Sequence, residues 1–324
     1  MSAIDGLPTK ITLLTGPLLV GLVGNWCLFG TNCVQVYIYY LKCPNDSWRL
    51  KSLVYGVLLW DIAQTLMLTT TEFDILASGW GNRADLVAPG TGWFDIPVMS
   101  GIASAVVQCF YAWRLYALSK SVPLVVVIVV LALTESAAAL ALGIIVHTTI
   151  HSLLVLQSNT YAVTGVWLIG SATCDLVISV SSLWLLSRAR RRVAEGNKTR
   201  GFINRIIILT VGGGFLTASV AIVDAILYLG FPENNLHFAA AFLLPKLYTN
   251  ALMVILNNRI RNLNNLTYTW EGEAGEGDSS DASPRNIDLT SLDGSIDSIL
   301  NAGSRSADVS LGTEHTNRKP EAGG

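Results

Sequence analysis

Five ionisable side chains stand where ionisation is expensive. Asp61, Glu135, Asp175, Asp224 and Lys246 each interrupt a long apolar run. In hydrocarbon such groups turn inward and pair. Lys246 is the only cation among them, so a carboxylate is its expected partner, with Asp61 and Asp224 the first candidates. Three kinds of chemistry fit these residue types. The charges form ion pairs or protonated carboxyls that fix helix packing, or they line a pocket for a polar ligand or ion, or they relay a proton or cation. A lysine in the last apolar run also invites a retinal Schiff base, which requires a carboxylate counter-ion. Residues 101–109, in the middle of the third run, hold no carboxylate. That removes the usual place for one, and no cofactor is expected.

A second chemical feature is the basic stretch 188–202, RARRRVAEGNKTRGF, with Arg188, Arg190, Arg191 and Arg192 at its start. Such a stretch attracts anionic lipid head groups at about 1 kcal/mol per basic residue. It also offers a coupling surface to a cytosolic partner. The sequence contains no GxxxxGK[ST], HExxH, GxSxG or CxxC, so the motifs that would argue for an enzyme are missing. His147 and His151 have the i, i+4 spacing that places two ligands on one helix face, but no third ligand stands nearby, so interface histidines are expected rather than a metal site. Cys27, Cys33, Cys43, Cys109 and Cys174 lie in or beside apolar runs and predict no disulfide framework. No nucleic-acid partner is expected.

The elements that must carry these residues follow from composition. The chain is 51% hydrophobic and 14% charged, against about 25% charged for a soluble domain. Seven apolar stretches, 16–40, 52–76, 93–118, 123–146, 161–186, 203–230 and 236–256, each reach the roughly 20 residues that a helix needs to cross a bilayer core. The expected fold is an all-α, seven-transmembrane helix bundle spanning 16–261. A short outer segment, 1–15, precedes it and a disordered, acidic, Ser-rich cytosolic tail, 262–324, follows it. Transmembrane β-strands would be half as long and alternate in polarity. The first run is too long for the apolar core of a cleavable signal peptide. From residue 271 onward there are 11 acidic and 4 basic residues, too few apolar ones to fold alone. Within the tail, Ile287, Leu289, Leu292, Ile296, Ile299 and Leu300 recur near helical spacing, which predicts residual helix without a partner or, alternatively, a segment that docks one.

Basic residues cluster in alternate connections. Twelve fall at Lys42, Arg49, Lys51, Lys120, Arg188–Arg192, Lys198, Arg200, Arg259 and Arg261, whereas the opposite side has only Lys10 and Arg83. The bias predicts an outer N-terminus and a cytosolic C-terminus, in the plasma membrane. The sequons at Asn45, Asn197 and Asn265 then face the cytosol and stay unmodified. By helical rise, Asp61, Glu135, Asp175 and Lys246 fall within a few ångströms of the midplane, and Asp224 roughly 9 Å from the outer end of its span. Gly16, Gly21, Gly24 and Gly30 in the first run, and Gly212–Gly214 in the sixth, predict close helix packing, the triple glycine alternatively a hinge or unwound segment. Pro245 predicts a kink beside Lys246. Tyr39, Tyr40, Trp80, Trp93, Tyr116 and Trp184 are expected as interface anchors.

Several local patterns add a resemblance. They are Gly16-Pro17 with Gly30 and Gln35, Trp60-Asp61, Gln108-Cys-Phe110-Tyr-Ala-Trp-Arg114 and Gly214-Phe-Leu-Thr217-Ala218. The most specific are Lys246-Leu-Tyr248-Thr-Asn250 and Leu256-Asn257-Asn258-Arg259. Over 16–261 the chain resembles uncharacterised seven-helix membrane proteins expanded in mushroom-forming fungi, a domain of unknown function. Ala218 stands where that family has Ser. The resemblance implies the seven-helix topology, and receptor-like function is the common guess for the family. Three functions follow as expectations: a receptor-like protein with a polar intramembrane pocket, a small-solute or ion transporter using the same charges, or a structural membrane scaffold. The ligand is not named by the sequence. The partners expected are membrane lipid and a cytosolic protein at the fifth loop or tail.

Overall fold

A computed structural model of the chain describes residues 11–44, 46–79, 90–149, 156–191, 198–231 and 235–258. The regular elements among them are all helical. In chain order they are α1 (Ile11–Lys42), α2 (Trp48–Phe73), α3 (Met99–Ser119), α4 (Val122–Thr149), α5 (Leu156–Arg191), α6 (Lys198–Gly230) and α7 (Leu236–Ala241), which continues as helix over 244–258. Turns of wider π-helix extend α2 at Asp74–Ser78 and precede α3 at Phe94–Val98. The lengths and apolar content give seven membrane-spanning helices, close to the seven runs read from the sequence. The proposed 1–15 segment is described only from residue 11. Arg192, Trp80, His151, the three sequon asparagines and the acidic tail lie outside the described residues.

The distribution of polarity is that of a protein dissolved in lipid. Leu59, Val180 and Ile208 point outward and are more than 60% exposed, as are many other large apolar side chains along the spans. The buried set includes Asn25, Asn32, Asp61, Gln64, Glu135, Asp175, Asp224 and Lys246. A soluble protein does not expose apolar surface on this scale. A bilayer makes it the low-energy arrangement, because backbone polar groups are satisfied within each helix and polar side chains find partners only in the bundle interior. This is a multi-pass integral membrane protein.

The first and second spans, and the third through the seventh in sequence, pack as consecutive antiparallel neighbours, and the seventh also packs on the first. Lys120 and Ser121 alone join α3 to α4. Lys120 takes a left-handed conformation (φ 52°), its N–H donating to the Tyr116 carbonyl at 2.8 Å. At the other basic connection, Tyr39 departs from expectation. It is buried rather than an interface anchor, because its hydroxyl donates to Asp46 Oδ2 at 2.7 Å and ties the end of α1 to the turn that follows. Tyr40, Tyr116 and Trp184 are exposed as anchors should be. Trp93 is half-buried, its ring 4.3 Å from that of His147.

Glycine sets how closely the spans approach. A Cβ at Gly21 would lie 2.7 Å from Phe242 and 3.0 Å from the Phe238 carbonyl oxygen, while Gly16 and Gly30 face open space. The α6 helix runs unbroken through Gly212–Gly214. Gly213 meets Ala251 and Gly214 meets Ser179, so these two serve packing rather than unwinding. The seventh span breaks at Phe242-Leu243, one turn before Pro245. Proline cannot donate to the carbonyl four residues back and its ring crowds that carbonyl. The interruption leaves the Phe242 carbonyl free to accept from Asn25 Nδ2 at 2.9 Å, so α1 satisfies the kink in the seventh span. Gly21→Val should therefore destabilise the detergent-solubilised protein by about 1–3 kcal/mol through overpacking, and Gly16→Val should leave its thermal midpoint unchanged. Equal midpoints for the two variants would contradict the close α1–α7 contact.

Candidate functional site

The kink delivers Lys246 to the bundle centre. Its side chain and that of Asp61 are both fully buried. An ammonium has three N–H groups, and three acceptors surround Nζ: the Asp61 carbonyl oxygen at 2.9 Å, Asp61 Oδ1 at 3.3 Å and Gln64 Oε1 at 3.2 Å. The Phe29 ring centroid lies 5.9 Å away on a further side. The second carboxylate oxygen of Asp61 accepts from Asn32 Nδ2 at 2.7 Å and Thr249 Oγ1 at 2.8 Å. Gln64 Nε2 in turn donates to the Asp95 carbonyl at 2.9 Å. Spans one, two, three and seven are thereby joined through one ion pair. Around it, Gln35 Nε2 donates to Asn250 Oδ1 at 2.8 Å, and Asn250 Nδ2 to the Lys246 carbonyl at 2.7 Å.

A second polar group lies against the other face of the seventh span. Tyr248 donates to Asp175 Oδ2 at 2.8 Å and shares a 2.7 Å hydrogen bond with Ser171. Gln108 Nε2 donates to Asp175 Oδ1 at 3.1 Å. Glu135 is fully buried beside Ser104, Gln108, Ser171 and Asp175, with no direct hydrogen bond to either carboxyl oxygen. Gly170 lets α5 come close enough to touch the Glu135 side chain. Toward the basic end, Arg114 Nη1 donates to Thr210 Oγ1 at 3.1 Å.

The third group surrounds a cavity of about 60 Å³ at the opposite end. Every span contributes to its wall: Leu18, Glu72, Ile96, Leu142, Thr164, Asp224 and His237 come from the first through the seventh in order. Asp224 is fully buried and neither of its oxygens accepts a hydrogen bond; His237 Nδ1 stands 3.6 Å from Oδ1. The His237 ring meets Tyr228 edge-on at 5.0 Å, and the Tyr228 hydroxyl shares a 2.9 Å hydrogen bond with Thr160. Glu72 is buried with Oε2 unpartnered, and the Asp95 carboxylate, also buried, interacts with it electrostatically. Thr164 Oγ1 is a further buried atom without a partner. Both π-helical turns fall at this end, where Thr71 also hydrogen-bonds Thr91.

The five mid-chain charges therefore do not converge on one pocket. Lys246 takes Asp61, one of its two expected partners. Asp224 is not the other: it faces His237 across the cavity, because α6 presents it a full turn or more nearer the bundle end than Lys246. Asp175 and Glu135 form their own group. Arg188, Arg190 and Arg191 are exposed at the basic end, with Arg188 5.6 Å from the Trp184 ring centroid. The sequence pattern does not single out Glu72, Asp95 or His237 as site residues. Glu72 reads as the polar end of a span and Asp95 as the edge of an apolar run. Their one shared signal is that each, like Asp224, lies within six residues of the end of its span on the cavity side of the bundle. All five cysteines are free thiols.

Removing one partner of a buried ion pair strands the other charge. Asp61→Asn and Lys246→Met should each destabilise the protein by about 3–5 kcal/mol. The double variant should lose clearly less than the two losses added together, read from denaturation midpoints in detergent. Strict additivity would show that the two groups are not coupled.

A family of unknown function (DUF6534) has a model that matches residues 171–261. The match takes in Ser171, Asp175, Lys246, Tyr248 and Asn250, and thus the seventh-span half of both mid-depth groups. No curated protein and no solved structure matches the chain.

Proposed function

We propose that this is a receptor-like seven-helix membrane protein whose ligand site is the cavity at the Asp224 end. The carrying observation is that all seven spans wall one space with buried polar atoms left unpartnered. A site whose wall draws on every helix lets occupancy bias the packing of the whole bundle, which is what a signalling protein needs. The Lys246–Asp61 pair, fully satisfied by its own neighbours, serves as the fixed centre against which such movement occurs.

Orientation follows the basic residues. Lys42, Arg49, Lys51, Lys120, Arg188, Arg190 and Arg191 all belong to the end opposite the cavity. By the excess of Lys and Arg in cytosolic loops, the cavity end faces outward, the basic end meets the cytosol, and the plasma membrane is the fitting location. Exposed arginines at the end of α5 then form the coupling surface, in contact with anionic lipid and a cytosolic partner. A second reading, transport of a small solute or ion, draws on Glu135: a buried carboxyl without a direct hydrogen bond at mid-depth is a stepping point between the cavity and the basic end.

The two readings separate by experiment. An epitope at the C-terminus should be protected from antibody in intact cells, and one at the N-terminus should be accessible. In a strain lacking the gene, Arg188→Gln/Arg190→Gln/Arg191→Gln should reach the surface at wild-type level yet fail to restore the deletion phenotype. Full restoration by that variant, together with solute uptake lost in Glu135→Gln proteoliposomes, would favour the transporter and reject the receptor.

A further inference from the structure

We propose that the cavity binds an organic ammonium group, with Asp224 and Glu72 as its counter-charges; the inference deepens the receptor-like reading and rests on it. Charge is the first argument. The wall holds Glu72 and Asp224 with Asp95 close behind Glu72, and no lysine or arginine is among its described lining residues. The one base among the described lining residues is His237, 3.6 Å from Asp224. An anionic ligand would meet carboxylates and no fixed cation.

Unmet hydrogen bonding is the second argument. Both Asp224 oxygens, Glu72 Oε2 and Thr164 Oγ1 are buried without hydrogen-bond partners. Buried polar atoms in folded proteins are nearly always satisfied. All four are acceptors toward an N–H group, and a protonated amine is the ligand group that brings several N–H donors and a positive charge together. At the Lys246 clamp the same kinds of acceptor are already filled, whereas at Asp224 unfilled acceptors stand beside open space.

The rest of the wall decides between an organic and an inorganic cation. Leu18, Ile96, Trp167 and Phe242 make the surface beyond the carboxylates apolar. Calcium and magnesium ask for six or more oxygen ligands, and among the described residues no three His, Cys, Asp or Glu side chains are grouped so as to hold a metal ion. An alkyl or aryl body suits them, and aromatic faces attract ammonium groups further. A volume of about 60 Å³ admits an ammonium head with a few carbons and excludes a sugar or nucleotide as the buried part.

The test uses the full-length protein in detergent and reads its thermal midpoint. n-Butylammonium chloride should raise the midpoint saturably, because a ligand that binds only the folded state stabilises it. NaCl at equal ionic strength and n-butanol at equal concentration should not. Asp224→Asn and Glu72→Gln should each weaken the butylammonium effect at least tenfold in apparent affinity. No rise beyond that seen with NaCl, or a rise that both variants keep, overturns the proposal. A rise with n-butanol but not with butylammonium overturns the amine assignment and leaves a small-molecule cavity standing. No response to either organic probe removes the cavity reading as well. The comparison of the probes on the unaltered protein holds even where a variant fails to fold.

Discussion

Hydrocarbon offers no hydrogen bonds, and the architecture of this bundle is the consequence. A charged group placed at mid-membrane either finds a partner inside the protein or forces water into the bilayer. Lys246 and Asp61 solve that problem for each other. Their solution recruits the rest: Asn32 from the first span, Gln64 from the second and Thr249 from the seventh each fill one remaining hydrogen-bonding position. Neither charge can move by a turn without stranding its neighbours. The pair therefore fixes the relative height of three helices that otherwise meet through apolar surfaces, where sliding would cost little.

The kink in the seventh span belongs to the same arrangement. Pro245 removes a backbone donor one residue before Lys246, and the break at Phe242-Leu243 follows. Asn25 occupies the exposed Phe242 carbonyl, while Gly21 removes the side chain that would keep α1 at a distance. Three residue types at separate places in the chain thus address one defect. A helix interruption in lipid is tolerable only when a neighbouring helix satisfies it, and here the neighbour is the one that also supplies Asn32 to the ion pair.

Much of this is legible in the amino-acid sequence. Seven spans follow from length and apolar content alone, since helical rise and bilayer thickness leave little freedom. That Lys246 needs a carboxylate follows from its isolation among carboxylates. Which carboxylate it takes is not legible. Asp61 and Asp224 lie at different depths, but by helical rise the difference is only about a turn, and span ends read from apolar content are no sharper than that. Tyr39 shows the same limit at a span end: an anchor by position is a buried donor in the fold, because Asp46 turns back toward it. The cavity is hidden for a further reason. Its polar atoms come from the ends of different spans, each unremarkable within its own segment, and only tertiary structure gathers Glu72, Asp224 and His237 around one space.

The contrast between the two acidic centres is the strongest functional argument the fold supplies. Asp61 and Asp224 have the same chemistry and the same complete burial. One has every acceptor position used by residues of its own chain; the other has a neighbouring imidazole just beyond hydrogen-bonding distance and two oxygens unengaged. If burial of charge served packing alone, selection for stability would be expected to satisfy or neutralise both. One centre is complete and the other incomplete, and a cavity lies beside only the incomplete one; this contrast is what supports the proposed ligand site. The two are mechanically linked through Gln64, which accepts from Lys246 and donates to the backbone at Asp95, beside Glu72. A single amide side chain thus spans the distance between the clamp and the backbone beside the cavity wall.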